Sequence, residues 1–366
     1  MRGVSRAWFG GVLADDLLDA SDDVAVLDRG GWWAVVLTFE SEVRLWRFGR
    51  RRHLPLPASD DPWPGAGGPW TTSLDAAAYR AGVEQVRSRI REGEVYQANL
   101  CRVVSAPEPV HPDGRPGDPW ALAAVLAAGN PAPYSGVIDV PAVGAIPEQR
   151  LVTASPELFL ARDGDLVTSA PIKGTGVSAA DLLPKDSAEN VMIVDLVRND
   201  LQHVCRPGTV EVRGLLEVQQ HPGLVHLVST VQGRLVDGVG WPQLLAATAP
   251  PGSVSGAPKS TALRAIRDLE PVPRGPYCGA VGWVDADART ACLAVGIRTF
   301  WWQGGRLCFG TGAGITWGSD PAGEWAETEL KADRLLRLAS TAGAAGPPVP
   351  SVPATPSVSA TEREQR

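Results

Sequence analysis

Two pairs of carboxylates in the sequence are spaced by one helical turn. Glu324 and Glu327 are followed by Lys331, and these intervals place all three side chains on one face of a helix. Asp186 and Glu189 have the same spacing, although Asp-x-x-Glu is also the pattern of a helix capping box. Taken alone, the first pair is more simply explained by a solvated Glu–Lys surface pair and the second by the capping box. Together they predict two acidic helix faces that converge on one Mg²⁺, an ion that commonly takes only one or two protein carboxylates.

Lysine is rare in this chain. Of its 34 lysines and arginines only four are lysines, at positions 173, 185, 259 and 331, and the other 34 − 4 = 30 are arginines. A primary amine can lose its proton and act as a nucleophile, whereas a guanidinium stays charged. Each lysine is therefore a candidate for chemistry, with chance retention as the alternative.

Two glycine-containing segments are candidates for holding an anion. Residues 310–314 predict a loop before the last helix, whose backbone N–H groups can approach an anion closely. Arg298, on a predicted strand over 295–299, suits bidentate carboxylate recognition. Residues 252–260 resemble a nucleotide P-loop, but Pro258 stands where the second glycine should precede the lysine. A nucleotide hydrolase is therefore disfavoured.

The hydrophobic periodicity and the turn residues predict an α+β fold. The expected helices and strands follow from the apolar spacing, from Gly/Pro punctuation and from the cap at Asp320-Pro321. Helices are expected over 74–91, 185–201, 255–270 and 319–338, and strands over 32–37, 43–46, 278–284, 291–301 and 306–310, with a hairpin over 158–170. We divide the chain into a β-rich part at 1–70, a catalytic domain at 71–340 and a disordered Pro/Ala/Ser-rich tail at 341–366.

Composition excludes several classes of protein. The net charge of −7 and the absence of a basic block disfavour non-specific nucleic-acid binding. The five scattered cysteines form no CxxC pair, which argues against a zinc site or a disulfide framework. No signal peptide and no apolar run long enough to span a membrane is visible, so a cytoplasmic protein is expected.

The segments between about residues 72 and 338 occur in the order of a known family signature. The blocks that carry the resemblance are YQANL at 96–100, SPELF at 155–159, PIKGT at 171–175, AENVM at 188–192, VDLVRNDL at 194–201, HLVS at 226–229, GAPK at 256–259, YCGA at 277–280, GAG at 312–314 and the helix 324–331. The chain is identified by them as a member of the chorismate-binding enzymes. The resemblance implies an anthranilate synthase component I-like fold of antiparallel sheets layered with helices.

The resemblance also implies site residues. Glu189 and Glu327 correspond to the two glutamates that bind Mg²⁺ in the family, with Asp186 and Glu324 in support. The expected contacts of the enolpyruvyl carboxylate are Arg298, Tyr277, Gly312 and Gly314. The expected lining of the ring pocket is Lys331, His226, Thr175 and Ser253.

Two positions distinguish branches of the family. Isochorismate and salicylate synthases have a lysine where this chain has Gln97, so a water-adding enzyme is disfavoured. Anthranilate synthases have alanine where this chain has Lys173, and a lysine there resembles aminodeoxychorismate synthase component I, in which it is the nucleophile. The family usually follows this block with an arginine, whereas this chain has Gly176.

The implied reaction is the amination of chorismate at C4. Lys173 would add at C2 while Glu157, as general acid, protonates the departing hydroxyl, and ammonia would then expel the lysine. If Asp163-Gly164 is a two-residue turn, Arg162 pairs with Asp165, which leaves Lys173 opposite Ala154 and Glu157 on the other face of the sheet.

No glutaminase segment and no downstream lyase segment is recognised in the sequence, so a separate glutamine amidotransferase subunit is expected to supply ammonia. Two alternatives stay open. One is an anthranilate synthase component I, and the other is a non-catalytic chorismate-binding subunit, which would be expected to lack a metal ligand or the nucleophile.

Overall fold

The fold is taken from a computed structural model that describes residues 5–176, 178–182, 184–221 and 224–343. Most of the predicted tail therefore lies outside the described residues. No helix in the described chain is both long and apolar enough to cross a membrane.

Three of the six α-helices in the described chain begin at a residue whose side chain caps the helix. Asp75, Asp118 and Asp320 each accept a hydrogen bond from a backbone N–H of the first helical turn. The helices are α1 (Ala76–Arg91), α2 (Pro119–Gly129), α3 (Pro184–Gln202), α4 (Trp241–Thr248), α5 (Lys259–Leu269) and α6 (Pro321–Ser340). The predicted helices at 74–91, 185–201 and 319–338 are thus confirmed to within two residues.

The predicted helix at 255–270 begins later than expected, because Pro258 is its N-cap and the preceding residues form a short strand.

The strands of the described chain are β1 (Arg6–Phe9), β2 (Val12–Ser21), β3 (Trp32–Leu37), β4 (Val43–His53), β5 (Thr71–Thr72), β6 (Gln97–Pro107), β7 (Tyr134–Val140), β8 (Gln149–Ser155), β9 (Leu158–Asp163), β10 (Leu166–Ala170), β11 (Ile172–Gly176), β12 (Glu211–His221), β13 (Leu224–Arg234), β14 (Gly256–Ala257), β15 (Ala280–Asp285), β16 (Thr290–Val295), β17 (Thr299–Gln303) and β18 (Arg306–Ile315).

These strands form one long antiparallel ladder. Its order is β6–β18–β17–β8–β7–β1–β2–β4–β3–β15–β16–β9–β10–β13–β12, and β11 pairs with the first half of β13. Strands β1 and β3 pair with β7 and β15, so residues before 70 share the sheet with the rest of the chain. The domain boundary near residue 70 stays a prediction.

The ladder folds back on itself as a sandwich with helices outside. Its largest apolar cluster joins Leu151 of β8 to Leu160 of β9, which belong to opposite halves of the ladder. A second cluster packs α2 and α6 against β7, β8, β17 and β18, and a third packs α1 and α5 against β6 and β18. Helix α3 lies on β11 and β13. This layering confirms the predicted fold class and brings the two ends of the ladder face to face.

The β9–β10 hairpin forms where predicted, but its register differs. Asp163 pairs with Leu166, so the turn is Gly164-Asp165, with Gly164 in the left-handed region at φ +63°. The predicted Arg162–Asp165 pair is therefore wrong, because Arg162 pairs with Val167.

The predicted position of Lys173 opposite Ala154 is also wrong. Pro171 has no N–H to continue the ladder, and beyond it β11 pairs with β13, while Ala154 pairs with Ser135 of β7. The simple hairpin register put Lys173 and Glu157 on opposite faces of the sheet. Because β11 leaves β9 and pairs with β13, that restriction does not apply.

Two further predictions around the glycine-rich segment are corrected. Residues 310–314 belong to strand β18 and pair with β6, so they are not a loop. The predicted strand over 291–301 is broken after Val295, because Gly296 packs directly on the Pro276 carbonyl and Arg298 has a left-handed backbone at φ +52°. Arg298 therefore lies in the bend between β16 and β17.

Candidate active site

The Lys173 amine lies between the two ends of the folded sheet. Its Nζ is 4.0 Å from the Glu189 carboxylate of α3, and only 15% of the Lys173 side chain is exposed. A methyl group added to Gly314 of β18 would lie 3.4 Å from this Nζ. The amine thus faces both an acidic helix and a glycine strand, and it does not point into bulk water.

One face of β18 has no side chains opposite this amine. Gly310, Gly312 and Gly314 alternate along the strand and share a face. A side chain at Gly310 would clash with the Tyr277 ring, and one at Gly312 would clash with Cys101 Sγ. The pairing of β17 ends at Phe309, so beyond it β18 has β6 as its one neighbour in the described ladder. We call Gly310, Gly312 and Gly314 the glycine floor.

Strand β6 supplies two amide side chains to the same surface. Gln97 and Asn99 both approach the side of Gly314 that lacks a side chain. Gln97 is only 1% exposed, and in the described chain its Oε1 has no hydrogen-bond partner. Asn99 was not assigned a role from the sequence. Its only signal there is its position two residues after Gln97 on a strand, which puts both on one face.

Glu157 lies buried at the link between β8 and β9. Burial raises the pKa of its carboxyl group above the ordinary value, although a hydrogen bond from Ser253, the Lys173 charge, the Ile172 backbone N–H and the Arg298 charge all oppose the shift. The structure therefore brings Ser253, Lys173 and Arg298 close to Glu157, while the predicted roles of these residues stay predictions. A raised pKa favours the protonated form of a carboxyl group, which is the form that a general acid needs.

Of the two side chains predicted to hold a substrate carboxylate, Tyr277 lies on the glycine floor and Arg298 lies near Glu157. Burial lowers the pKa of the Arg298 guanidinium and the Glu157 charge raises it, yet a guanidinium stays protonated at neutral pH. Tyr277 is 5% exposed, and burial raises the pKa of its phenol well above the ordinary value. Its ring covers Gly310, so Tyr277 also forms one wall of the floor.

The carboxylates of α6 are held by local partners. Ser319 donates a hydrogen bond of 2.6 Å to Glu324, and Lys331 forms an ion pair of 2.6 Å with Glu327. Lys331 also donates to the Gly312 carbonyl at 3.1 Å, which ties this helix face to the glycine floor. On the other side, Asp186 of α3 is the nearest side chain to Gly174.

These carboxylates fit a magnesium ion in chemistry and in number. The described chain contains no group of three or more His, Cys, Asp or Glu side chains arranged to hold a metal. Mg²⁺ requires no such group, because it commonly takes one or two carboxylates and completes its shell with water and substrate oxygens. Glu189 and Glu327 carry such carboxylate oxygens, and each contacts a lysine whose amine lies beside a glycine of the glycine floor.

His226 and Thr175 are neighbours across the β11–β13 ladder, as their predicted shared pocket requires. His226 is 1% exposed. The side chain of Thr175 lies outside the described residues, so its predicted contact with substrate stays a prediction.

Lys259 has a structural environment, in agreement with the rejection of a P-loop. Its Nζ donates to the Asp200 carboxylate at 2.6 Å and to the Thr248 carbonyl at 3.1 Å. An amine held in this way by its own chain is not placed to hold a phosphate.

Comparison with known proteins adds an independent line of evidence. A family model described as chorismate binding enzyme matches residues 36–337, which extends the resemblance into the N-terminal strands. Anthranilate synthase component 1 of Thermus thermophilus is 37% identical over 310 residues, which cover 81% of this chain and 64% of that protein. Aminodeoxychorismate synthase component 1 of Klebsiella aerogenes is 36% identical over 281 residues, which cover 73% and 59%.

The solved structure of anthranilate synthase component I from Streptococcus pneumoniae TIGR4 has the same fold, with a TM-score of 0.75 at 23% identity over 92% of this chain and 94% of that one. This chain spans about half to two thirds of the length of the curated relatives it matches. Relatives with the two kinds of name are similar to it at comparable identity. The matched family model, the shared fold and the clustered site residues establish that the chain belongs to the family of chorismate-binding enzymes.

Proposed function

We propose that this chain aminates chorismate at C4 with ammonia, giving 4-amino-4-deoxychorismate through a covalent intermediate on Lys173. The observation that carries the proposal is the position of the Lys173 amine. It lies over the glycine floor, 4.0 Å from Glu189 and within the electrostatic reach of Glu157. A lysine at this position would present a nucleophile to a ring bound beside Gly314.

In the first step the neutral amine of Lys173 forms a bond to C2 of the ring. Both ring double bonds shift, from C1=C2 to C1=C6 and from C5=C6 to C4=C5, the C4–O bond breaks, and the hydroxyl group leaves as water with the proton of Glu157. In the second step ammonia bonds to C4, both double bonds shift back, and the bond between C2 and the lysine nitrogen breaks with its electron pair returning to nitrogen. The products are water and 4-amino-4-deoxychorismate, with no redox change and no loss of pyruvate.

The remaining residues would bind and orient the substrate. Arg298, which lies near Glu157, would pair with the enolpyruvyl carboxylate, and the Gln97 Oε1, which has no hydrogen-bond partner in the described chain, would accept a hydrogen bond from a donor on the substrate. Glu189 and Glu327 would hold Mg²⁺, which when bound polarises the ring carboxylate.

Ammonia is proposed to come from a separate glutamine amidotransferase subunit. Its support is indirect: relatives with either kind of name carry the words component 1. Since the cysteines of the chain are all free thiols, we place the reaction in a reducing compartment, the cytoplasm.

The second candidate is anthranilate synthase component I. It is favoured by relatives of that name, which match this chain at identities as high as 39%. That reaction would add the ammonia at C2 of the ring and eliminate pyruvate. Lys173 disfavours the anthranilate synthase reaction, because an amine held over the glycine floor would occupy the space in which ammonia must approach C2.

The test is to incubate the purified protein with chorismate, Mg²⁺ and an ammonium salt, and to identify the product by mass spectrometry. We expect 4-amino-4-deoxychorismate, no pyruvate, and loss of turnover when a chelator removes Mg²⁺. Fluorescent anthranilate with stoichiometric pyruvate would replace this proposal by the second candidate. Tight chorismate binding without any product would identify a non-catalytic binding subunit.

A further inference from the structure

A small cavity lies beside Glu157. Its volume is about 20 Å³, which is enough for one water molecule. Its polar lining consists of Glu157, Ser169, Asp200, Thr248 and Ser253. Val197, Asp200 and Leu201 of α3 line it and Lys173 and the glycine floor do not, so the cavity reaches Glu157 from the α3 side, and Ser253 borders both the cavity and the predicted ring pocket.

Asp200 connects this cavity to solvent. It lies near the end of α3, and 12% of its side chain is exposed. Its carboxylate is 2.6 Å from Lys259 Nζ, whose side chain is 20% exposed. Burial raises the pKa of the Asp200 carboxyl group, and the charges of Lys259 and His203 lower it. Asp200 is thus an acid that meets both bulk water and the cavity.

The proposed reaction consumes one proton on Glu157 in every turnover. Ammonia enters uncharged and the product amine leaves as an ammonium group, while the proton of Glu157 departs in the water molecule. The Glu157 carboxylate must therefore be reprotonated from solvent. In the proposed reaction substrate would cover the Lys173 side of Glu157, and the Glu157 residue itself is only 4% exposed.

We propose that the cavity is a proton path in which one water molecule links Asp200 to Glu157, so that Glu157 is reprotonated from the α3 side. This inference rests on the proposed function for its purpose, but its geometry is independent of the product formed. Asp200 passes a proton to the cavity water, that water passes one to the Glu157 carboxylate, and Asp200 regains its proton from solvent. Asp200 acts through the water and is a positioning and relay residue.

Charged and titratable groups face both carboxyl groups. Glu157 faces Lys173 of β11, Arg298 of the β16–β17 bend and Tyr134 of β7. Asp200 faces Lys259 of α5 and His203 just beyond α3. Burial raises the pKa of both acids above their ordinary values, which favours the protonated form of each, and neither is a proposed metal ligand.

The test fills the cavity without changing any charge. Val197 of α3 lines the cavity, and Val197→Ile adds a methyl group that displaces a single water. Val194, one turn earlier on α3 and also buried, does not line it, so Val194→Ile is the matched control. Asp200→Asn is a second variant that keeps a hydrogen-bond acceptor for Lys259 and removes the proton donor.

The first readout needs no catalysis. The rate at which the Glu157 carboxyl group exchanges its proton for deuterium is followed by infrared spectroscopy of the full chain, with the band assigned by its loss in Glu157→Gln. We expect exchange in Val197→Ile and in Asp200→Asn to be slower than in wild type and in Val194→Ile by at least about tenfold. Equal exchange rates in all four proteins would overturn the proton path.

The second readout is turnover. In Val197→Ile we expect one product per site at the wild-type rate, followed by slower steady-state turnover with unchanged KM for chorismate. If wild type forms no aminated product and exchange still slows in the variants, the proposed function fails and the proton path stands. If wild type aminates chorismate and exchange is unaffected, the proton path alone is wrong.

Discussion

Replacing Lys173 separates the charge of this residue from its nucleophilic amine. Lys173→Arg keeps a cation beside Glu189 but cannot supply a neutral amine, because a guanidinium stays protonated. Lys173→Met removes both the charge and the nucleophile while retaining a long apolar chain. The two variants therefore make different predictions for folding and the same prediction for catalysis.

The expected cost to stability is small. Lys173 and Glu189 are 4.0 Å apart, with 15% and 24% of their side chains exposed. Coulomb attraction at this distance is about 4 kcal/mol at an effective dielectric constant of about 20, but desolvation of both ions offsets most of it. We expect Lys173→Met to lower the free energy of unfolding by about 1 kcal/mol, and Lys173→Arg to lower it less.

The expected cost to catalysis is large, because both variants lack the group that bonds to carbon. Formation of 4-amino-4-deoxychorismate should fall by about 10³-fold or more in each, while chorismate binding by Lys173→Arg is retained. Thermal unfolding, chorismate titration and mass spectrometry of the product measure the three quantities. Amination by Lys173→Arg at more than about a tenth of the wild-type rate would refute the covalent route, since loss of a required nucleophile cannot leave so much activity.

Three other substitutions test the acid, the floor and the core. Glu157→Gln should lower kcat by about 10²- to 10⁴-fold. The protonated acid is the active form and burial raises its pKa, so wild-type activity should fall as the pH rises through that pKa. A pH profile without this decrease would contradict the assignment of Glu157 as the general acid. Gly314→Ala places a methyl group beside the nucleophilic lysine, and an overpacking cost of about 1–3 kcal/mol predicts a drop in kcat/KM of about 5- to 150-fold, measured against chorismate. Arg274→Met leaves the buried Glu270 without its cation (side chains 1% and 6% exposed), so urea unfolding should show a loss of about 3–5 kcal/mol. Arg337→Met breaks an exposed pair as its control and should change stability by no more than about 0.5–1 kcal/mol.

Cap residues, apolar spacing and turn residues were enough to predict several helices and strands. The capped helices α1 and α6 and the long helix α3 fall within two residues of their predicted bounds, because cap residues and apolar stripes act within one helix. The β9–β10 hairpin also forms, but its turn begins one residue later than predicted. Glycine at 164 in the left-handed region suits either register, so local sequence does not choose between them.

Local rules failed where a distant strand sets the conformation. Residues 310–314 have the composition of a loop, yet they are a strand because β6 offers a partner from a distant part of the chain. The absent side chains are required by the Tyr277 ring and by Cys101, which pack onto the glycines from elsewhere. Arg298 leaves the strand geometry because Gly296 and Pro276 are forced into contact.

The sequence by itself determined the family. It also determined which carboxylate, amide and lysine side chains are present, and which positions of β18 are glycines without side chains. These are properties of residue type, order and spacing. Only the tertiary structure decided that the Lys173 amine lies over Gly314 and that Glu157 is buried, which raises the pKa of its carboxyl group. The physical reason is that β11 and β18 stand near opposite ends of a long ladder. Their meeting depends on how the sheet folds around its apolar core, and the burial that raises the pKa of Glu157 is a property of that packing.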